Sequence, residues 1–170
     1  MKYLLLLAFI ISSHATLANG KKIPPALISF HLEGIAAEAP KFAQPAITLA
    51  GKGYFRIVPE ISNKDIIAFS PFPSPDEPNS YGIVFQIKPV AGKRLERVST
   101  INQGKLLLAK VNGEPHDVVR IDRPITDSKL VIWRGLTLEQ IRLYDHIVPR
   151  IGETKEEWKK KVKALKKEKR

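Results

Sequence analysis

YGIVFQIKPVAGKRLERVSTINQGKLLLAKVNG, residues 81–113, decides the fold. Tyr81 to Ile87 alternates, with Ile83, Phe85 and Ile87 on one side, which is the two-residue period of a strand. The period then switches. Ala91, Leu95 and Val98 fall at i, i+4 and i+7 with Lys93, Arg94, Glu96 and Arg97 opposite, the stripe of an amphipathic helix. Asn102-Gln103-Gly104 ends it. Lys105 to Val111 is strand again, and Asn112-Gly113 supplies two residues that tolerate the positive φ of a type I′ turn.

Working outward, His116 to Ile121 returns from that turn and Lys129 to Trp133 is a further strand. Thr137 opens a helix with a capping box, its hydroxyl facing the Gln140 amide while Gln140 reaches back. Leu138, Ile141, Tyr144 and Val148 form the expected buried stripe. Thr154 and Glu157 make a second capping box. Glu156 and Glu157 in the first turn of that last helix and lysines in its last complement the helix dipole. Upstream, Ala26 to Leu32 alternates as a half-buried strand with Ser29 and His31 on its wet side. Residues 33–51, broken by Pro40 and Pro45, read as an irregular connection with one short strand at Ala46–Leu49. Tyr54–Val58 and Ile66–Phe69 are strands around an Asn63-Lys64-Asp65 turn. Ser70 to Ser80 holds four prolines and reads as an exposed loop. The expected class is α+β, a largely antiparallel sheet with one amphipathic helix packed on it and helices at the C-terminal end.

The first twenty residues say where the protein works. Lys2, an apolar run from Tyr3 to Ile11 and small residues at 16–20 have the layout of a secretory signal peptide, with a mature start at Asn19 or Lys21. The run is about nine residues, short of the ~20 that span a bilayer. No Cys stands at the boundary for a lipid anchor. The expected organisation is a signal peptide at 1–20, a single domain at 21–152 and a basic C-terminal helix at 153–170. About 150 residues remain after cleavage, enough to bury roughly two-thirds of the unfolded surface. With no cysteine in the chain there is no disulfide, thiolate metal site or thiol nucleophile.

The net charge of +11 is uneven: residues 155–170 carry nine basic and three acidic side chains, a net +6. The body is only mildly basic, which argues against a nucleic-acid binder.

The turns, caps and apolar pattern of IVFQI at 83–87, AGKRLERVSTINQGKLLLAKVNGE at 91–114 and ITDSKLVIWRGLTLEQI at 125–141 resemble the first periplasmic (head) domain of SecD, the accessory subunit of the bacterial protein translocase. Thr100, Gly104, Lys105, Asn112, Gly113, Gly135 and Thr137 stand at the family's turn positions, and YFRIVPEISNKDIIAFS at 54–70 resembles its lead-in strand and turn. The family's hairpin carries Asp-Gly where this chain has Asn-Gly. The family also has transmembrane helices after the head, which drive its motion. This chain has none, so a motor role does not carry over. The resemblance implies a small exported head-type domain, detached from the machine.

Chemistry is sparse. Nucleophile-elbow, zincin and phosphate-loop patterns are absent. His31 and Glu33 share a strand face, so a two-ligand metal corner is geometrically possible beside the simpler reading of a solvated face. Asp145 and His146 are helix neighbours pointing about 100° apart. His116-Asp117 reads as turn chemistry. Asp117, Asp122 and Asp127, interleaved with Arg120 and Arg123, read as a solvated edge. Trp133 reads as core or edge packing, with a stacking platform as the alternative. The tail has functional content: Trp158, Val162 and Leu165 fall at i, i+4 and i+7 among Lys159, Lys160, Lys161, Lys163, Lys166 and Lys167, a basic amphipathic helix suited to an anionic membrane or an acidic partner. The expectation is therefore an exported, non-enzymatic binding or accessory module of the bacterial envelope, without cofactor or metal, offering its sheet to a protein or peptide. The alternative is a peripheral protein tethered by its tail to anionic membrane or envelope polymer.

Overall fold

The computed structural model describes residues 27–48 and 50–168. The expected signal peptide lies outside the described residues. The chain is α+β, with every strand pairing antiparallel. Among the described residues nine strands run in order: β1 Ile28–Leu32, β2 Ala43–Thr48, β3 Gly51–Arg56, β4 Ile61–Ser62, β5 Ile66–Pro73, β6 Tyr81–Ile87, β7 Leu106–Val111, β8 Glu114–Arg120 and β9 Lys129–Leu136. The helices are α1 Pro89–Ile101, α2 Leu138–Ile147 and α3 Lys155–Glu168. A four-stranded sheet has the order β4-β1-β7-β8, and a three-stranded one the order β5-β6-β9.

The inward faces of these two sheets meet. Phe30 of β1 stands edge-on to Phe85 of β6 at 6.3 Å between ring centres, and Phe85 meets Tyr144 of α2 at 5.7 Å. Ala91 and Leu95 of α1 and Ile141 of α2 complete the core. Pro89 starts α1 in the first turn, where its missing N–H costs nothing. Asn112 and Gly113, at φ 53° and 89°, turn β7 into β8 as the Asn-Gly pair requires. The Thr137 box caps α2, the Thr137 amide donating to Gln140 Oε1 and the Gln140 amide to Thr137 Oγ1. The stripe of α2 differs from expectation: Leu138 is 45% exposed, while Leu143 and Asp145 are buried.

Two segments that proline argued out of strands are strands. β2 and β3 form a hairpin over 43–56, where the sequence suggests an irregular connection as far as residue 51 with one short strand at Ala46–Leu49, then a strand at Tyr54–Val58, and β5 continues through Pro73. Alternation explains why proline is tolerated. The Phe69 amide points away from β6, donating to the Pro149 carbonyl. Pro71 and Pro73, two and four residues on, share that orientation, so no ladder donor is lost. Pro45 occupies the equivalent outward position on β2, opposite Tyr54, whose carbonyl turns away from β2 to accept from Gly34.

The hairpin has a second consequence. Phe55 and Ala46 pack with Leu108 on the far side of the four-stranded sheet, so that sheet is covered on both faces. The supposedly wet side of β1 is dry, and His31 is 6% exposed. Its Nδ1–H donates to the Arg56 carbonyl at 2.7 Å, and Nε2 accepts from Ser29 Oγ at 2.7 Å. Burial lowers the pKa of this imidazole; the Arg56 carbonyl works the other way and nearby Lys110 adds to the lowering.

Candidate functional site

β8 borders the four-stranded sheet and β9 the three-stranded one. The chain passes from one to the other through residues 121–128, so these two strands face each other edge to edge, yet they belong to different sheets. At one end they are stitched. Asp117 Oδ2 accepts the Trp133 amide at 2.7 Å and Oδ1 accepts the Val118 amide at 2.9 Å, so one carboxylate takes a backbone donor from each strand. His116 Nε2 donates to the Gly135 carbonyl at 2.7 Å.

Toward residues 121–128 the strands part. The opening is a cavity of about 630 Å³, with walls that include Arg120, Ile125, Lys129, Val131 and Trp133. That is within the range of small-ligand and peptide sites. The backbone facing it is fixed by register. The Ile87 amide donates to the Ser128 carbonyl, and Ile132 lies opposite Ile83. Residues 128, 130 and 132 therefore bond to β6, and Val131 turns its N–H and C=O into the gap, as Trp133 does. On β8, the Ile121 amide donates to Lys105 of the β7 side. By the same alternation Val118 and Arg120 direct their main-chain groups toward β9. Beyond the end held by Asp117 and His116, Arg120 and Val131 thus present strand edges without a ladder partner, the arrangement that accepts an added extended chain.

Two solved structures of SecDF resemble this fold. One, SecDF described as a membrane component that enhances protein export, matches 69% of this chain and 60% of its own at 17% identity and a TM-score of 0.48. The other, SecDF in its super-membrane-facing form, matches 69% of this chain and 18% of its own at 15% identity, again at 0.48. The chain thus spans less than two-thirds of either. No family model and no curated protein matches it.

Several residues singled out in the sequence have structural duties. Asp117 is 6% exposed and is not part of a solvated edge. Asp122, Asp127, Arg120 and Arg123 do line the opening. Trp133 is 49% exposed at its rim and meets Phe72 edge-on at 5.9 Å. Glu33 Oε2 accepts the Leu106 amide at 2.8 Å, which extends the β1–β7 ladder by one side chain, so His31 and Glu33 hold main chain rather than converge on an ion. Among the described residues no three His, Asp or Glu side chains could share a metal. Nor is any helix there long and apolar enough to cross a membrane.

The Asp145 carboxylate is held by two basic side chains. Arg150 grips both its oxygens at 2.9 Å, and Lys161 Nζ bridges Asp145 Oδ1 and Glu153 Oε2, each at 2.9 Å. Burial alone would raise the Asp145 pKa; the hydrogen bonds from Arg150 and Lys161 outweigh it and hold the carboxyl below its ordinary value. The Trp158 indole N–H donates to the Asp145 carbonyl at 2.9 Å. Trp158, Lys161, Val162 and Leu165 are half-buried, whereas Lys159, Lys160, Lys163, Lys166 and Lys167 are exposed. The open edges at Arg120 and Val131 are not legible in the sequence, because apolar alternation reports which face is buried and not which neighbour an edge has.

Proposed function

We propose that this protein is an exported, non-enzymatic accessory module of the bacterial envelope that binds an extended peptide between β8 and β9. The observation that carries the reading is the pair of open strand edges facing one cavity, at Arg120 on one side and Val131 on the other. Main-chain hydrogen bonds to those edges give affinity that depends little on sequence, the property an accessory to unfolded chains needs. The head-type motifs at 83–87, 91–114 and 125–141 support the same class.

The test is Val131→Pro. Its N–H faces the cavity, not β6, so the substitution removes a donor for the ligand while sparing the ladder, as Pro71 and Pro73 do on β5. A fluorescein-labelled ten-residue peptide of alternating Val and Thr should bind the wild-type chain and slow hydrogen exchange at Arg120 and Val131. The Val131→Pro chain should melt near the wild-type temperature and lose most of that binding. Equal binding by both chains, or no protection at those amides, overturns the reading.

A further inference from the structure

The sequence presents α3 as a basic amphipathic helix suited to an anionic membrane or an acidic partner, with Trp158, Val162 and Leu165 as its apolar stripe. The structure commits that stripe elsewhere. Trp158 donates to the main chain of α2, and Lys161 is held between Asp145 and Glu153. At 100° per residue, Trp158, Lys161, Val162 and Leu165 fall within roughly one-third of the helix circumference. Lys159, Lys160, Lys163, Lys166 and Lys167 fall at i, i+1, i+4, i+7 and i+8, a second stripe about 120° wide facing away from the first. All five are exposed, and none takes part in an ion pair among the described residues.

The geometry points to a rigid cationic comb that docks on the headgroups of an anionic bilayer without inserting. Five ammonium groups stand along about 12 Å of one straight helix, at ~1.5 Å per residue. The helix is clamped to the domain by its opposite face, so the comb is presented already ordered, and a flat anionic surface meets all five charges at once. No large apolar side chain lies in the stripe, so contact stays at headgroup level. The held apolar face distinguishes this from an ordinary interfacial helix, which buries its aromatic residue below the headgroups.

The test uses the chain carrying Trp133→Phe, so that emission reports Trp158 alone. Vesicles of phosphatidylglycerol and phosphatidylcholine should bind it, and vesicles of phosphatidylcholine alone should not. Trp158 emission should stay in place on binding. Each Lys→Gln change in the stripe should weaken binding about fivefold, the equivalent of ~1 kcal/mol per lysine near a charged surface. The fivefold-substituted chain should show no measurable binding, as should the parent at high salt. A blue shift of Trp158 would mean that α3 undocks and inserts, which overturns the proposal. So would equal binding to neutral vesicles, unchanged binding after the five substitutions, or binding of soluble polyglutamate without binding of vesicles.

Discussion

Replacing Asp117 with Ala tests the stitch that joins the two sheets. The carboxylate is 6% exposed and accepts two main-chain donors, Val118 at 2.9 Å and Trp133 at 2.7 Å. Hydrogen bonds to a charged acceptor are worth about 1.5–3 kcal/mol each, and an amide left unpaired in a buried place costs about 1–3. The rim of the cavity lets water reach part of this site, so the lower figures apply and the loss is about 3 kcal/mol. At roughly 3–4 °C per kcal/mol for a domain of this size, Tm falls about 10 °C. Asp117→Asn keeps one acceptor oxygen and turns an NH₂ toward the other donor, so it should lose about half as much. Differential scanning calorimetry measures both, and hydrogen exchange of the Trp133 amide gives the local readout, expected to speed up in the Ala variant. A fall of less than ~2 °C with the Trp133 amide as protected as before would show that the sheets are held together without Asp117.

Other expectations follow from packing and charge. Leu95→Ala in α1 should cost about 3 kcal/mol in urea unfolding, since Leu95 is fully buried against the core. Gly82→Ala should destabilise by about 2 kcal/mol, because the added carbon would run into the Phe72 ring and come within 2.7 Å of the Trp133 carbonyl oxygen; an unchanged melt would refute this close packing. His31 is held with a lowered pKa, so the unfolded chain binds the proton more readily and the contribution of His31 to stability, present above about pH 6.5, is lost as pH falls. Melting curves from pH 7.5 to 5 should show that decline and His31→Gln should flatten it; an unchanged slope would exclude His31 as its source. Asp145→Ala should release α3 by removing the carboxylate that Arg150 and Lys161 share, seen as a red shift of Trp158 emission in the Trp133→Phe background.

Residues whose period stands alone were legible. β6, α1, the Asn112-Gly113 turn and the Thr137 box each announce themselves within a few residues, because local geometry fixes them. Misreadings arose where a neighbour distant in sequence decides. His31 is dry because a hairpin from 43–56 lies over it, and Pro45 hid that hairpin. Proline marks a missing donor, but only register tells whether the donor was needed. The candidate site suffers the same blindness more severely. Arg120 and Val131 belong to ordinary alternating strands, and their importance lies in the ladder that fails to form between them. The Trp158, Val162 and Leu165 stripe likewise states that a face is apolar and not what covers it.

The position of β1 governs when the domain can assemble. Ile28 pairs with Val111 and Leu32 with Leu107, so the first strand among the described residues occupies the interior of its sheet and waits for one well past the middle of the sequence. β5 and β6 pair across a short connection and α1 follows them directly, contacts that form early because little chain must be gathered in. A chain emerging N-terminus first therefore holds β1 without its β7 partner, with the 43–56 hairpin over one face and the two residues of β4 at one edge, until residue 111 is out. Fragments that stop before β7 should stay open and aggregate, whereas those that include β8 have the whole four-stranded sheet within reach.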